Sequence, residues 1–183
     1  MDRHWLLAVG MMREGDKLAS FQRLAETLPL LRGSNWHCIL VGDGPARDIV
    51  ASAFAAQVDR ITLTGQMEPD QLAALYAASD LYVWPAINEA YGMALLEAQA
   101  AGLPVVSVRT RGVPDIVDHG TTGWLTPDDA PATMANAIDT LLADQGQRQR
   151  MAKAAPLRVR QELSMEAAQA RLKALFTELG LPA

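Results

Sequence analysis

Apolar runs of strand length alternate along the chain with segments whose apolar positions recur at spacings of three and four. That rhythm predicts an α/β domain, a parallel sheet covered by helices on both faces. Residues 5–10, 36–41, 61–64, 81–84 and 105–108 read as strands, the first buried and 81–84 apolar throughout as a strand covered on both faces, and 123–125 as an edge strand. Helices are predicted over 18–31, 45–58, 69–78, 92–101, 132–142, 147–159 and 165–179, with a short helical turn after Pro114. In the first, Leu18, Phe21, Leu24, Ala25 and Leu28 form a stripe suited to packing on a sheet, and in the last Met165, Ala168, Leu172, Leu175, Phe176 and Leu179 form another. The punctuation agrees: Gly42-Asp43-Gly44-Pro45 permits a tight turn into a helix, while Gly102 and Pro104 stop the helix before them. Trp5, Trp36, Trp84 and Trp124 fall on predicted strands and are expected in the core.

Composition narrows the picture. The 183 residues carry 16 Lys and Arg against 21 Asp and Glu, a formal charge of −5, with half of the residues hydrophobic. That is one domain's worth of chain, apolar enough to fill one core. Its mild acidity opposes binding to nucleic acid, which needs clustered cations. The single Cys38 cannot form an internal disulfide, and no Cys/His set has the spacing of a metal site. The apolar run 5–12 faintly imitates a secretory signal, but Arg13, Glu14, Asp16 and Lys17 follow with no small-residue cleavage site. No stretch approaches the roughly 20 apolar residues of a membrane-crossing helix. The expectation is a soluble, cytoplasmic protein that meets a membrane only at its surface.

Candidate chemistry concentrates in the run from Asn88 to Ala98, which places Glu89 just before a helix and Glu97 inside it. Ligands of open parallel sheets collect at the carboxyl ends of strands, and Glu89 lies just beyond the strand ending at Trp84. Gly92 lets the backbone approach a ligand, and the free amides around Met93 and Ala94 form an anion site at the helix start. Glu97 follows Met93 by one turn on the same face, about 6 Å along the axis. That offset suits a nucleotide with phosphate at the helix tip and ribose one turn deeper. Spacing alone equally permits two solvated glutamates near a helix. Gly42-Asp43-Gly44 lacks the third glycine of a dinucleotide fingerprint and follows the second strand, against NAD binding. His4, His37 and His119 have no Ser or Cys partner in pattern and are assigned to structure or surface.

The run from Asn88 through Glu97 to residues 101–106 resembles the E-x7-E signature of group 1 (family 4) glycosyltransferases. Val41-Gly42-Asp43-Gly44-Pro45 is similar to that family's V-G-x-G-P turn. Leu63-Thr64-Gly65 with Leu72, Leu75, Tyr76, Ala78 and Asp80 resembles its next block, and residues 112–117 and 120–125 resemble its G-x-P-E-I-V and G-x-x-G-x-L segments. Their order along the chain is that of transferases rather than of sugar-nucleotide epimerases. The resemblance implies a Rossmann-like, doubly wound parallel sheet with flanking helices, the carboxyl-terminal, donor-binding half of a GT-B fold, spanning 1–183. It implies Glu97 on the ribose hydroxyls, Glu89 on the sugar near its reacting carbon, and Gly92, Met93 and Ala94 on phosphate oxygens, with Tyr91 beside them. It further implies transfer with retention of configuration, no metal ion and no cofactor, the substrate being a UDP- or GDP-sugar.

A departing diphosphate then needs fixed donors or cations. No D-x-D motif is evident, and the candidates are Arg13 and Lys17, just beyond the first strand. In the family an Arg directly follows the glycine ending that strand; here Met11 follows Gly10, and Arg13 comes later. Arg111 stands where many relatives have glycine. The acceptor, whether glycan, lipid or small molecule, is expected on an amino-terminal GT-B domain missing from this chain, which begins at the first strand of the donor half. Without it the domain is expected to bind donor and to be inactive in transfer. The alternative is a non-catalytic nucleotide-sugar-binding or assembly module of the same fold.

Overall fold

The computed structural model describes residues 3–181. Six strands, β1 (His4–Val9), β2 (Trp36–Val41), β3 (Ile61–Gly65), β4 (Leu81–Trp84), β5 (Val105–Val108) and β6 (Gly123–Thr126), form one parallel sheet in the order β3-β2-β1-β4-β5-β6. The order reverses between β1 and β4. Loops leaving those two strands diverge to opposite sides, which opens a crevice at their carboxyl ends.

The helices are α1 (Asp16–Thr27), α2 (Arg47–Ala53), α3 (Pro69–Ala78), α4 (Met93–Ala100), α5 (Val113–Ile116), α6 (Pro131–Ala143), α7 (Gln145–Arg158) and α8 (Met165–Glu178). α1 packs beside α2 and α6, and α4 beside α7. Between the layers Leu6, Leu7, Cys38, Leu40, Leu81, Tyr82, Val83, Val105 and Val106 are buried, as strands covered on both faces require. Phe21 and Leu24 of α1 and Met134, Ile138 and Leu141 of α6 close the core from the helix side.

Two predicted helices are shorter than their apolar patterns. The first ends at Thr27, because Pro29 takes the chain into a single tight turn over Leu28–Leu30. The helix predicted over 45–58 becomes α2 followed by a 3-10 segment, Ala55–Arg60, since the backbone leaves helical geometry at Phe54 (φ −96, ψ 5), whose ring is buried. Trp36 and Trp84 are core residues, but Trp5 is 42% exposed: it lies near the entry of β1, and burial along that strand starts at Leu6. Trp124 is half-buried on the edge strand, edge-on to His119 with ring centroids 5.2 Å apart.

The final stripe stays largely uncovered, with Met165, Leu172, Leu175 and Leu179 exposed and Phe176 half-buried. Among the described residues no helix is long and apolar enough to cross a membrane.

The strand exits near the crevice are held rigidly. The amide of Gly10 donates to the Val41 carbonyl at 3.0 Å, that of Gly42 to Gly65 at 2.9 Å and that of Met12 to Asp43 at 2.9 Å, so the ladder continues past the strand ends. Gly42 is required there. A Cβ at this residue would lie 1.9 Å from the Gly10 carbonyl oxygen, and its φ of +141° disfavours other residues.

Candidate functional site

The crevice is a cavity of about 780 Å³. Gly10, Met11 and Lys17 line it from the β1 side, Gly42 and Asp43 from β2, Gln66, Met67 and Leu72 from the β3–α3 region, and Tyr82, Trp84, residues 89–95 and Glu97 from β4 and α4. Both glutamates singled out in the sequence therefore open into one space.

α4 starts at Met93 after Gly92, whose left-handed φ of +92° turns the chain sharply into the helix. No side chain caps this end. Leu95 and Leu96 donate to the Gly92 carbonyl at 2.9 and 3.1 Å, whereas the first amides, at Met93 and Ala94, have no carbonyl partner one turn earlier in the helix. The helix dipole adds partial positive charge at the same point.

Glu89 is anchored through one oxygen. Lys17 Nζ donates to its Oε2 at 2.5 Å and Trp84 Nε1 to the same atom at 3.4 Å. The Lys17 ammonium also lies over the Trp84 ring, 5.5 Å from its centroid. Trp84 is fixed edge-on against Phe21, with centroids 5.0 Å apart. The Lys17 and Glu89 side chains are only 22% and 15% exposed, so the pair is sheltered from bulk water. Glu97 is held in the same manner, by the Tyr76 hydroxyl donating to Oε2 at 3.0 Å. Tyr82 lines the same cavity, and its hydroxyl donates to the Val9 carbonyl at 3.1 Å. Burial pushes the Tyr82 phenol far above its ordinary pKa, and the nearby charges of both Glu89 and Glu97 add to the rise. One ring thus senses both carboxylates.

The remaining predicted residues are placed less uniformly. Tyr91 and Met93 are exposed at the mouth, 46% and 58%. Arg13 is exposed in the β1–α1 turn and is not among the lining residues. Arg111, on the loop after β5, donates to Asn88 Oδ1 at 3.2 Å, and Asn88 Nδ2 donates to Asp16 Oδ1 at 3.1 Å, which ties two loops to the start of α1. Ala86, Asn88 and Arg111 all adopt positive φ (54°, 52° and 42°), so non-glycine strain gathers in the segments flanking the cavity. Among the described residues no three His, Cys, Asp or Glu side chains gather as a metal site.

The two aromatic donors that hold the glutamates were not read as functional from the sequence. Trp84 falls on a strand and reads as core, and Tyr76 appears only within a helical block. The available signal was polar: a buried Tyr or Trp needs a partner for its O–H or N–H, and both stand near the crevice.

This architecture defines an α/β, Rossmann-like half of a GT-B fold, and GT-B glycosyltransferases superpose on it. Sucrose-phosphate synthase from Thermosynechococcus elongatus matches with a TM-score of 0.82 and 26% identity, over 97% of this chain and 46% of the synthase. The C-terminal domain of the group 1 family glycosyl transferase LpcC from Francisella tularensis matches with a TM-score of 0.74 and 20% identity, over 90% of this chain and 88% of that domain. By sequence, the alpha-D-kanosaminyltransferase of Streptomyces kanamyceticus is 34% identical over 153 residues, 82% of this chain and 39% of that enzyme. The family described as glycosyl transferases group 1 matches residues 3–144, and the chain belongs to it. It spans less than half the length of the transferase and the synthase to which it is similar.

Proposed function

We propose that the chain is the donor-binding half of a glycosyltransferase and that its cavity holds a nucleoside-diphosphate sugar, such as a UDP- or GDP-sugar. The observation that carries this is the shared space: Glu89 and Glu97 open into one cavity with the uncapped start of α4 between them in sequence. Diphosphate oxygens accept from the amides of Gly92, Met93 and Ala94 and meet the Lys17 ammonium. Glu97 accepts from the ribose hydroxyls, Glu89 from a sugar hydroxyl near the anomeric carbon, and Tyr91 borders the mouth. Arg13 needs the β1–α1 turn to shift before it adds a second cation.

In transfer, an acceptor hydroxyl oxygen bonds to the anomeric carbon as the bond to the diphosphate oxygen breaks, and the hydroxyl proton leaves with the departing phosphate or to solvent. Charge collects on the leaving group, where preorganised amides and one ammonium stabilise it most. Lys17 enters that step already sheltered and oriented by Glu89 and Trp84. Membership of the family supports transfer as the reaction, retention of configuration and independence of metal ions. The acceptor then binds a second, amino-terminal domain, and this half alone binds donor without transferring it.

Isothermal titration calorimetry of the 183-residue chain tests the binding step. UDP or GDP is expected to bind, with affinity unchanged by EDTA, and Glu97→Ala to weaken it about 10- to 100-fold, the worth of hydrogen bonds to a charged group. No heat from any nucleoside diphosphate at millimolar concentration contradicts the proposal.

A further inference from the structure

A buried phenol contacts two residues of the cavity lining, Glu97 and Tyr82. Tyr76, on α3, is 3% exposed, and its hydroxyl donates to Glu97 Oε2 at 3.0 Å. The Tyr82 ring lies beside it, centroids 6.1 Å apart. Burial first, and then Tyr82 and the Glu97 carboxylate, push the Tyr76 phenol far above its ordinary pKa. It therefore stays a protonated donor at neutral pH.

A carboxylate one turn into a helix has three side-chain torsions between backbone and oxygens, and an unanchored one samples several rotamers. A fixed donor removes that freedom. With Oε2 bonded to Tyr76, the carboxylate plane is set and Oε1 is left to accept from a ligand. We infer that Tyr76 is a positioning residue that orients Glu97 for a vicinal diol, and so makes the cavity selective for ribonucleotides over nucleotides without ribose hydroxyls. This rests on the assignment of Glu97 to the ribose.

The phenol acts only through Glu97. Its removal therefore costs affinity for the ribose end of the ligand and leaves the contacts of the diphosphate with α4 and Lys17 in place. Tyr76→Phe keeps the ring and removes the donor.

Calorimetry with UDP and with 2′,3′-dideoxyuridine diphosphate, on the wild-type chain, Tyr76→Phe, Glu97→Ala and the double variant, tests the inference, with melting temperatures as the control for folding. The wild type is expected to prefer UDP over the dideoxy analogue. Tyr76→Phe is expected to lose about five- to tenfold in UDP affinity, the scale of one ordinary net hydrogen bond, and nothing in affinity for the analogue. Combined with Glu97→Ala it is expected to add no further loss, because the two residues act as one unit. Equal losses for both ligands, an additive double variant, or unchanged selectivity at an unchanged melting temperature overturns the role of Tyr76 and leaves the cavity's nucleotide assignment standing. If the wild type binds nucleotide without preferring UDP, the ribose role of Glu97 falls, and the inference with it. If it binds neither ligand, both proposals fail.

Discussion

At the residue scale, both glutamates of the cavity accept from an aromatic donor of the core, Glu89 from Trp84 and Glu97 from Tyr76. Lys17 then sits where it neutralises Glu89 and faces any anion delivered to the start of α4. Deleting one member of such a sheltered pair leaves the other charge without its partner, which costs more than the pair is worth when intact. Lys17→Ala is therefore expected to weaken UDP binding at least tenfold, the scale of one charge-assisted contact. It is also expected to flatten the dependence of affinity on salt, whereas uridine, which carries no phosphate, is expected to lose little. Titration calorimetry at low and high salt checks this, and an equal loss for uridine and UDP would sink the assignment of Lys17 to the diphosphate. The glutamates were legible because they stand eight residues apart around a glycine. Their aromatic partners were not, since Trp84 on a strand and Tyr76 on a helix present the same apolar pattern as neighbours that carry no function.

At the scale of elements, α4 is the part on which the proposed binding turns. Its first amides are available because Gly92, in the left-handed region, supplies no side chain to cap them. An alanine Cβ there would lie 2.7 Å from Leu95 Cδ1 at a φ that L residues avoid. Gly92→Ala is expected to cost about 1–2 kcal/mol in stability, lowering the melting temperature by a few degrees, and to weaken UDP binding as the amides shift. Calorimetric melting and titration of the same sample check both; an unchanged melting point contradicts the strain, and unchanged affinity the anion site. The inner strands β4 and β5 were readable from sequence because they are buried on both faces, a consequence of two covering layers, while the edge strand β3 alternates and exposes Thr62 and Thr64. Helix ends were less so. Pro29 and Phe54 end their helices early, one by a missing amide and the other by a turn that buries its ring, and an apolar stripe records neither. The exposure of Trp5 was illegible for a similar reason, since alternation predicts which residues face a layer but not where that layer begins.

At the scale of the whole molecule, the reversal of strand order between β1 and β4 explains why the start of α1 with Lys17 and the loops carrying Gly42 and Glu89 meet. The single thiol offers a probe of that core. Cys38 is fully buried on β2, and burial pushes its pKa far up, so the reactive thiolate is suppressed. A thiol reagent at pH 8 is expected to leave the folded chain unmodified and to label it fully in denaturant, with nucleotide slowing the labelling by stabilising the native state. Rapid labelling of the folded chain contradicts the burial. The central claim concerns where the ligand lies, and a crystal structure of the chain with UDP or GDP tests it most directly. The diphosphate is predicted against the amides of Met93 and Ala94 with Lys17 beside it, and the ribose against Glu97. Nucleotide bound outside the cavity, or bound inside it with its ribose away from Glu97, contradicts the account.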